Sequence, residues 1–282
     1  MNFKIECLAA ASQFINLASN LLYEREAEYS LLLGLCELQA SAEKPSADYK
    51  YFCLFRSEKL VGAAVLNERR LVVTDFPESC VQFLVRYLVE NQILIPGVVG
   101  PINIVEKFAK HWSSAIEQKM MLTMGQSIYQ LSQVAPSKNV LGKLVAAKEQ
   151  ELNVISKWLH EFSLEATPHQ PTNLEKMTAL AKTKISKHEA YLWLDQDEHA
   201  VSMTLVGRPT KNGISISGVF TPKQLRGNGY ASAVVASTSQ VMLDKGKKFC
   251  VLYTDTANPT SNKIYKKIGF QEVASSRDFV FN

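Results

Sequence analysis

The sequence predicts an α/β (α+β) protein: a mixed sheet flanked by helices, with one order of elements run through twice. Two observations carry this. Short β-branched runs with period-two alternation interleave with helix-length runs bounded by capping residues. In the second half, a basic glycine loop also joins one such strand directly to one such helix.

In chain order, helical patterns cover residues 9–22 and 27–38, and the polar break 40–46 ends them at Pro45. Strand-like runs follow at 49–56, 60–67 and 70–74, then a helix over 77–91. The stretch from Pro96 to Pro101 is assigned no element; helix 102–116 and strand 127–131 close the first half. Pro136, Ser137 and Asn139 suit a linker, so domains are expected at 1–135 and 136–282. The second half repeats the order. It has a strand at 142–147, an amphipathic helix at 148–166 with Leu152, Ile155, Trp158, Leu159 and Phe162 on one face, and a helix at 173–185. Strands at 191–194 and 201–207 flank a polar hairpin, and a turn at 208–212 leads into strand 214–220.

Chemistry concentrates after that strand. Gln224-Leu225-Arg226-Gly227-Asn228-Gly229-Tyr230-Ala231 precede a helix over 231–243, which stops at Lys245-Gly246. Helix N-termini present N–H groups without intrahelical partners and about half a positive charge, so this junction suits an anion. Gly227 and Gly229 permit positive φ and close approach of the amides to a phosphate. The Gly-Lys-Ser/Thr nucleotide loop is absent. A dinucleotide fingerprint would need glycine at Ser232 and an acid at a strand end, whereas Asp244 falls on the helix.

Strand 249–255 comes next, then Asn258 as N-cap, Pro259 as first helical residue, Gly269 as helix stop, and a last strand from Phe270 to Phe281. These two segments resemble the GNAT superfamily of N-acetyltransferases. Gln224, Gly227 and Gly229 match its Gln/Arg-x-x-Gly-x-Gly/Ala loop. Asn258, Ser261, Tyr265, Gly269 and Phe270 match its Asn-x-x-Ser-x-x-x-Tyr-x-x-x-Gly-Phe segment. The first half, with Gly97-Val98-Val99-Gly100-Pro101, Phe108 and Trp112, is similar to the leading half of two-domain GNAT proteins and of glycine N-acyltransferase-like proteins. It has Thr74-Asp75-Phe76-Pro77-Glu78-Ser79 where the glycine loop belongs, so the resemblance implies a degenerate first domain that binds no coenzyme A.

The resemblance implies a GNAT-type N-acetyltransferase using acetyl-coenzyme A, without metal. The diphosphate would lie on the amides from Arg226 to Ala231, and the pantetheine arm along Val219 and Phe220, one of whose N–H groups polarises the thioester carbonyl. Asn258, Ser261 and Tyr265 would face the donor. Tyr265 would protonate the leaving thiolate, since a phenol titrating near 10 keeps its proton at neutral pH. Packing as a core aromatic is the other reading of Tyr265. Asp255 is the candidate base, and it equally suits capping of the turn Asp255-Thr256-Ala257-Asn258. An acyl-coenzyme A sensor without turnover is the competing function.

The remaining residues bound the rest. With 46% hydrophobic and 21% charged residues, 282 residues fill one large or two modest cores. No apolar run reaches the roughly 18 to 20 residues that span a bilayer, and the start lacks a secretory pattern. The five cysteines form no Cys-x-x-Cys, so free thiols in a reducing cytoplasm are expected, with Cys250 in the core. His160, His169 and His188 have no metal-ligand spacing, and Asp195, Asp197, Glu198 and His199 read as a solvated hairpin. Residues 1–136 carry net charge −2 and residues 137–282 net +6, which places the basic half with the phosphate loop. The basic residues are dispersed, so neither nucleic acid nor membrane is an expected partner. Lys245, Lys247 and Lys248 read as a solvated helix end, with proximity to the adenosine phosphate as the alternative. The partner is a small-molecule or peptide amine, and the state monomer or homodimer. The first half serves as scaffold, acceptor-site wall or dimer surface.

Overall fold

The computed structural model describes residues 2–136, 140–166 and 171–282. Residues 137–139 of the expected linker, and His169, lie outside the described residues. The first half contains β1 (Phe3–Leu8), α1 (Ala11–Glu24), α2 (Ser30–Ala40), β2 (Lys50–Arg56), β3 (Lys59–Leu66) and β4 (Leu71–Val73). It continues with α3 (Ser79–Glu90), β5 (Gly97–Pro101), α4 (Ile102–Ala115) and β6 (Met120–Leu131). The second half contains β7 (Lys143–Ala146), α5 (Leu152–Ala166), α6 (Leu174–Ser186), β8 (Ala190–Leu194), β9 (Ala200–Gly207) and β10 (Gly213–Phe220). Then come α7 (Tyr230–Asp244), β11 (Phe249–Asp255), α8 (Pro259–Ile268) and β12 (Gln271–Phe281).

One sheet holds all twelve strands, in the order β1-β2-β3-β4-β5-β12-β6-β11-β10-β9-β8-β7. Each of the first six strands has a counterpart six strands later, and the order reads symmetrically about the β12–β6 pair. Each half therefore places its last strand beside the fifth strand of the other half. β12 pairs β5 from Ser276↔Pro101 to Val280↔Gly97, and β6 pairs β11 from Cys250↔Leu131 to Asp255↔Gln126. Both contacts are antiparallel, whereas β4–β5 and β10–β11 are parallel.

Helices cover both faces. Phe52, Leu84, Phe108 and Trp112 centre one core under α3 and α4, and Phe14, Leu22, Leu32 and Leu33 centre a second under α1 and α2. In the second half Val234 and Val235 of α7 pack in a core with Leu252 of β11, while Ile155 and Leu159 of α5 and Ala181 of α6 pack in another with Met203 of β9. Among the described residues, no helix is long and apolar enough to cross a membrane.

Three strands differ from the sequence reading. β1 is absent from it, although Phe3-Lys4-Ile5-Glu6-Cys7 alternates apolar and polar residues; pairing with β2, Phe3↔Arg56 to Leu8↔Tyr51, supplies its stability. The unassigned segment before α4 is β5. Gly100 lets it lie against β4, since a Cβ there would stand 2.7 Å from the Val73 carbonyl oxygen. β6 begins at Met120 rather than residue 127, drawn out by its long ladder with β12.

Candidate active site

β10 and β11 run side by side for only three residue pairs, Gly213↔Phe249 to Ser215↔Val251, and then part. The cause is local to β10. A bulge lies between Ser217 and Phe220, with Gly218 at φ +57°, and a Cβ there would stand 3.0 Å from the Leu205 side chain. Beyond the split a cleft of about 600 Å³ opens. Such a volume suits a small-molecule site.

The β10 wall carries Val219 and Phe220, and the Phe220 carbonyl is held from the β9 side by Ser202 Oγ at 3.0 Å. The Phe220 ring packs on Trp158 of α5. A 3₁₀ turn, Lys223–Leu225, follows, with Gln224 exposed and the Leu225 side chain packed on the core under α7. Arg226 N–H donates to the Lys223 carbonyl at 3.3 Å, so this amide closes the turn instead of facing an anion. That narrows the expected cradle to Gly227, Asn228, Gly229, Tyr230 and Ala231. Their N–H groups precede the first i→i−4 bond of α7, from Ala233 to Gly229. Gly227 and Gly229 stand at φ +90° and +83°, and a Cβ at 227 would meet nothing within 4 Å. The loop thus fits an anionic group on backbone amides, as coenzyme A would require.

The opposite wall is β11 with α8. Asn258 accepts from Ser261 N–H at 3.0 Å as N-cap, Pro259 opens the helix, and Gly269 ends it at φ +110°. Asn258, Ser261 and Tyr265 share the face of α8 that lines the cleft. The Tyr265 ring lies 6.4 Å from Tyr129 and 6.0 Å from Phe270, so it packs as a core aromatic while its side chain also lines the cleft. Burial pushes its phenol up to about 12, against a smaller downward pull from the Ser261 hydrogen bond. The proton therefore stays on at neutral pH. Asp255 also lines the cleft, and its Oδ1 accepts from Ala257 N–H at 2.8 Å, the capping geometry of a turn.

Val219, Phe220, Arg226, Ala231, Asp255, Asn258, Ser261 and Tyr265 thus line one cleft, and Gln224, Leu225, Gly227, Asn228, Gly229 and Tyr230 form the loop leading from it to α7. Lys245, Lys247 and Lys248 sit beyond the far end of α7, about 22 Å along a 15-residue helix. That position favours the helix-end reading of these lysines over proximity to the adenosine phosphate. Among the lining residues that escaped the sequence reading of the site are Gly218, Met124 and Gln126 of β6, and Glu165 of α5. Only Gly218 left a local signal, as an isolated glycine within a strand pattern.

The corresponding corner of the first half is closed. β4 and β5 pair at Leu71↔Val98 and Val72↔Val99, and the space beyond is about 20 Å³, bordered by Tyr29 and Val73. Asp75 N–H donates to the Tyr29 hydroxyl at 3.3 Å where the other half has its glycine loop.

A family model described as FR47-like protein matches residues 200–280, the stretch holding β10, the loop, α7, β11 and α8. Over this stretch the chain is similar to the GNAT superfamily of N-acetyltransferases. A curated relative, Acetyltransferase Atu2258 of Agrobacterium fabrum, is 27% identical over 90 residues. That match covers 32% of this chain and only 64% of the relative. Among solved structures, a GCN5-related N-acetyltransferase from Sphaerobacter thermophilus aligns at TM-score 0.61 and 14% identity, covering 98% of this chain and 94% of that one. A tandem GNAT protein from the clavulanic acid biosynthesis pathway aligns at TM-score 0.52 and 10% identity, covering 100% and 98%. At such identities the two structures share the GNAT fold across both halves.

Elsewhere in the chain, the carboxylate and imidazole atoms of Asp195, Asp197 and His199 lie within 4.8 Å of one another on the β8–β9 hairpin. Asp195 Oδ1 accepts from the N–H groups of Asp197 and His199, at 3.0 and 2.9 Å, so turn formation accounts for the group. His160 Nδ1 pairs with the Thr172 carbonyl at 2.9 Å, and His188 occupies a turn at φ +53°.

Proposed function

We propose that the protein transfers an acyl group, acetyl in the first instance, from coenzyme A to a primary amine of a small molecule or peptide. The supporting observation is the split between β10 and β11. It leaves an open strand edge at Val219 and Phe220 running from the glycine loop to the Tyr265 face of α8. A diphosphate fits the amides of Gly227–Ala231, and a pantetheine arm fits the unpaired edge of β10 as an added strand.

In this reading the amine attacks the thioester carbonyl directly. The C–N bond forms, the oxyanion takes a hydrogen bond from the Val219 or Phe220 N–H, and the C–S bond breaks. The departing sulfur takes the Tyr265 proton, and the proton lost by the amine, relayed by water or Asp255, restores the phenol. The raised phenol keeps Tyr265 a donor throughout the neutral range.

The test is thiol release from acetyl-coenzyme A across a panel of amines. Tyr265→Phe is expected to lower kcat roughly 10²–10⁴-fold while binding coenzyme A as before. Unchanged turnover would remove Tyr265 from the reaction. One observation favours a binding-only regulator: the Asp255 carboxylate is engaged in the turn at Ala257. That reading predicts coenzyme A binding with no turnover by any amine.

A further inference from the structure

Glu165, in the last turn of α5, accepts from Arg226 Nη2 at 2.8 Å and stands 3.9 Å from Lys223 Nζ. Both cations belong to the segment joining β10 to α7. Arg226 Nε donates to the Thr221 carbonyl at 2.9 Å, and its guanidinium lies over the Phe220 ring, 5.7 Å from the centroid. These side-chain partners all precede the glycines or belong to α5. The guanidinium is thus directed back along the cleft wall, and one carboxylate faces the two cations nearest the loop.

We propose that Glu165 is a positioning residue acting as an internal counter-anion: it holds Arg226 away from the glycine loop and weakens diphosphate capture until the ligand displaces it. The inference rests on the reading that Gly227–Ala231 take the diphosphate of coenzyme A. Three points support it. The carboxylate lines the same cleft as Arg226 and as Ala231, the last residue of the loop's amide run. The pair is 37% and 45% exposed, so it is weak, screened by salt and open to competition. A fixed negative charge beside an anion site also disfavours the anion by direct repulsion. Removing that charge while keeping the side chain's shape therefore strengthens binding.

The experiment measures coenzyme A affinity by calorimetry for the parent, Glu165→Gln, Arg226→Ala and the double variant, at low and high salt, with pantetheine as a probe lacking the diphosphate. Glu165→Gln is expected to bind coenzyme A about two- to fivefold more tightly at low salt. The gain should vanish near 1 M salt, where screening acts over about 3 Å, and with pantetheine, and it should shrink in the Arg226→Ala background to the part owed to direct repulsion. Glu165→Ala provides a second variant should the amide disturb α5. Equal or weaker binding by both Glu165 variants overturns the assignment and leaves the loop reading intact. A parent that binds no coenzyme A overturns both. A gain that persists with pantetheine would show that Glu165 acts through the shape of α5, and would equally overturn the assignment.

Discussion

Gln126 and Asp255 face each other in register across the ladder of β6 and β11, and both line the cleft. One belongs to the first half of the chain, the other to the second. The wall carrying the candidate base is therefore completed by a strand from the half that lacks the glycine loop.

Separation of the halves tests this dependence. A fragment of residues 136–282 loses β6, leaving β11 and β12 with bare edges beside the apolar run Phe249-Cys250-Val251-Leu252. Bare apolar edges aggregate. Each half expressed alone is expected to be insoluble, and co-expression should return a complex that binds coenzyme A. A monodisperse, ligand-binding fragment would refute the dependence.

The glycine loop offers a cleaner perturbation. A methyl at Gly227 meets no neighbour within 4 Å, so Gly227→Ala carries only the left-handed backbone penalty, roughly 1–2 kcal/mol. At Gly229 the added Cβ also stands 3.1 Å from the Val140 side chain, so Gly229→Ala should cost more. Melting curves with and without coenzyme A check both points. Each variant should melt a few degrees lower, and the ligand-induced rise should shrink or disappear.

Tyr253 ties β11 to the start of α2. Its buried hydroxyl accepts from Leu31 N–H at 3.1 Å, lies 3.1 Å from Ser30 Oγ and donates to the Glu28 carbonyl at 3.3 Å. Tyr253→Phe leaves the Leu31 donor without that partner, and an orphaned buried group costs about 1–3 kcal/mol. Urea denaturation should show the midpoint fall by that free energy divided by the slope, with the slope unchanged. An undisturbed midpoint would mean that water replaces the hydroxyl.

Alkaline pH should unfold the protein through groups that burial holds protonated. Burial pushes Cys250 up to about 11, and Cys53, Tyr29 and Tyr265 up to about 12, from ordinary values of 9.0 for thiols and 10.0 for phenols. Each folded value exceeds the unfolded one. Their contribution is therefore complete below pH 9 and is lost as pH climbs through 9 to 12. The melting temperature, as far as these groups set it, should be level to about pH 9 and then fall. In the same protein at pH 8, a thiol reagent should label Cys7 promptly, the exposed member of the five cysteines, and the other four only on unfolding.

The candidate site was legible where its conformation is set by neighbours in the chain. Gly227 and Gly229 take positive φ, Asn258 caps, Pro259 begins and Gly269 ends α8, because these are properties of a few consecutive residues. Glu165, Met124 and Gln126 were not legible. Nothing in α5 or β6 announces which loop or strand it will meet, since such contacts join residues tens to more than a hundred positions apart. The expected Arg226 amide failed for a related reason. A 3₁₀ turn ahead of the glycines claims it, and Lys223-Gln224-Leu225 carry no marker for that turn.

By itself, then, the amino-acid order determined the alternation of strands and helices, the glycine loop and the tyrosine-bearing helix, since dihedral preference and capping act within a turn or two. The folded molecule alone decided that β6 and β12 cross between halves, that Gly218 parts β10 from β11, and that one cleft opens while its counterpart fills. Strand partners and cavities depend on which distant surfaces bury one another, and burial is a property of the whole chain.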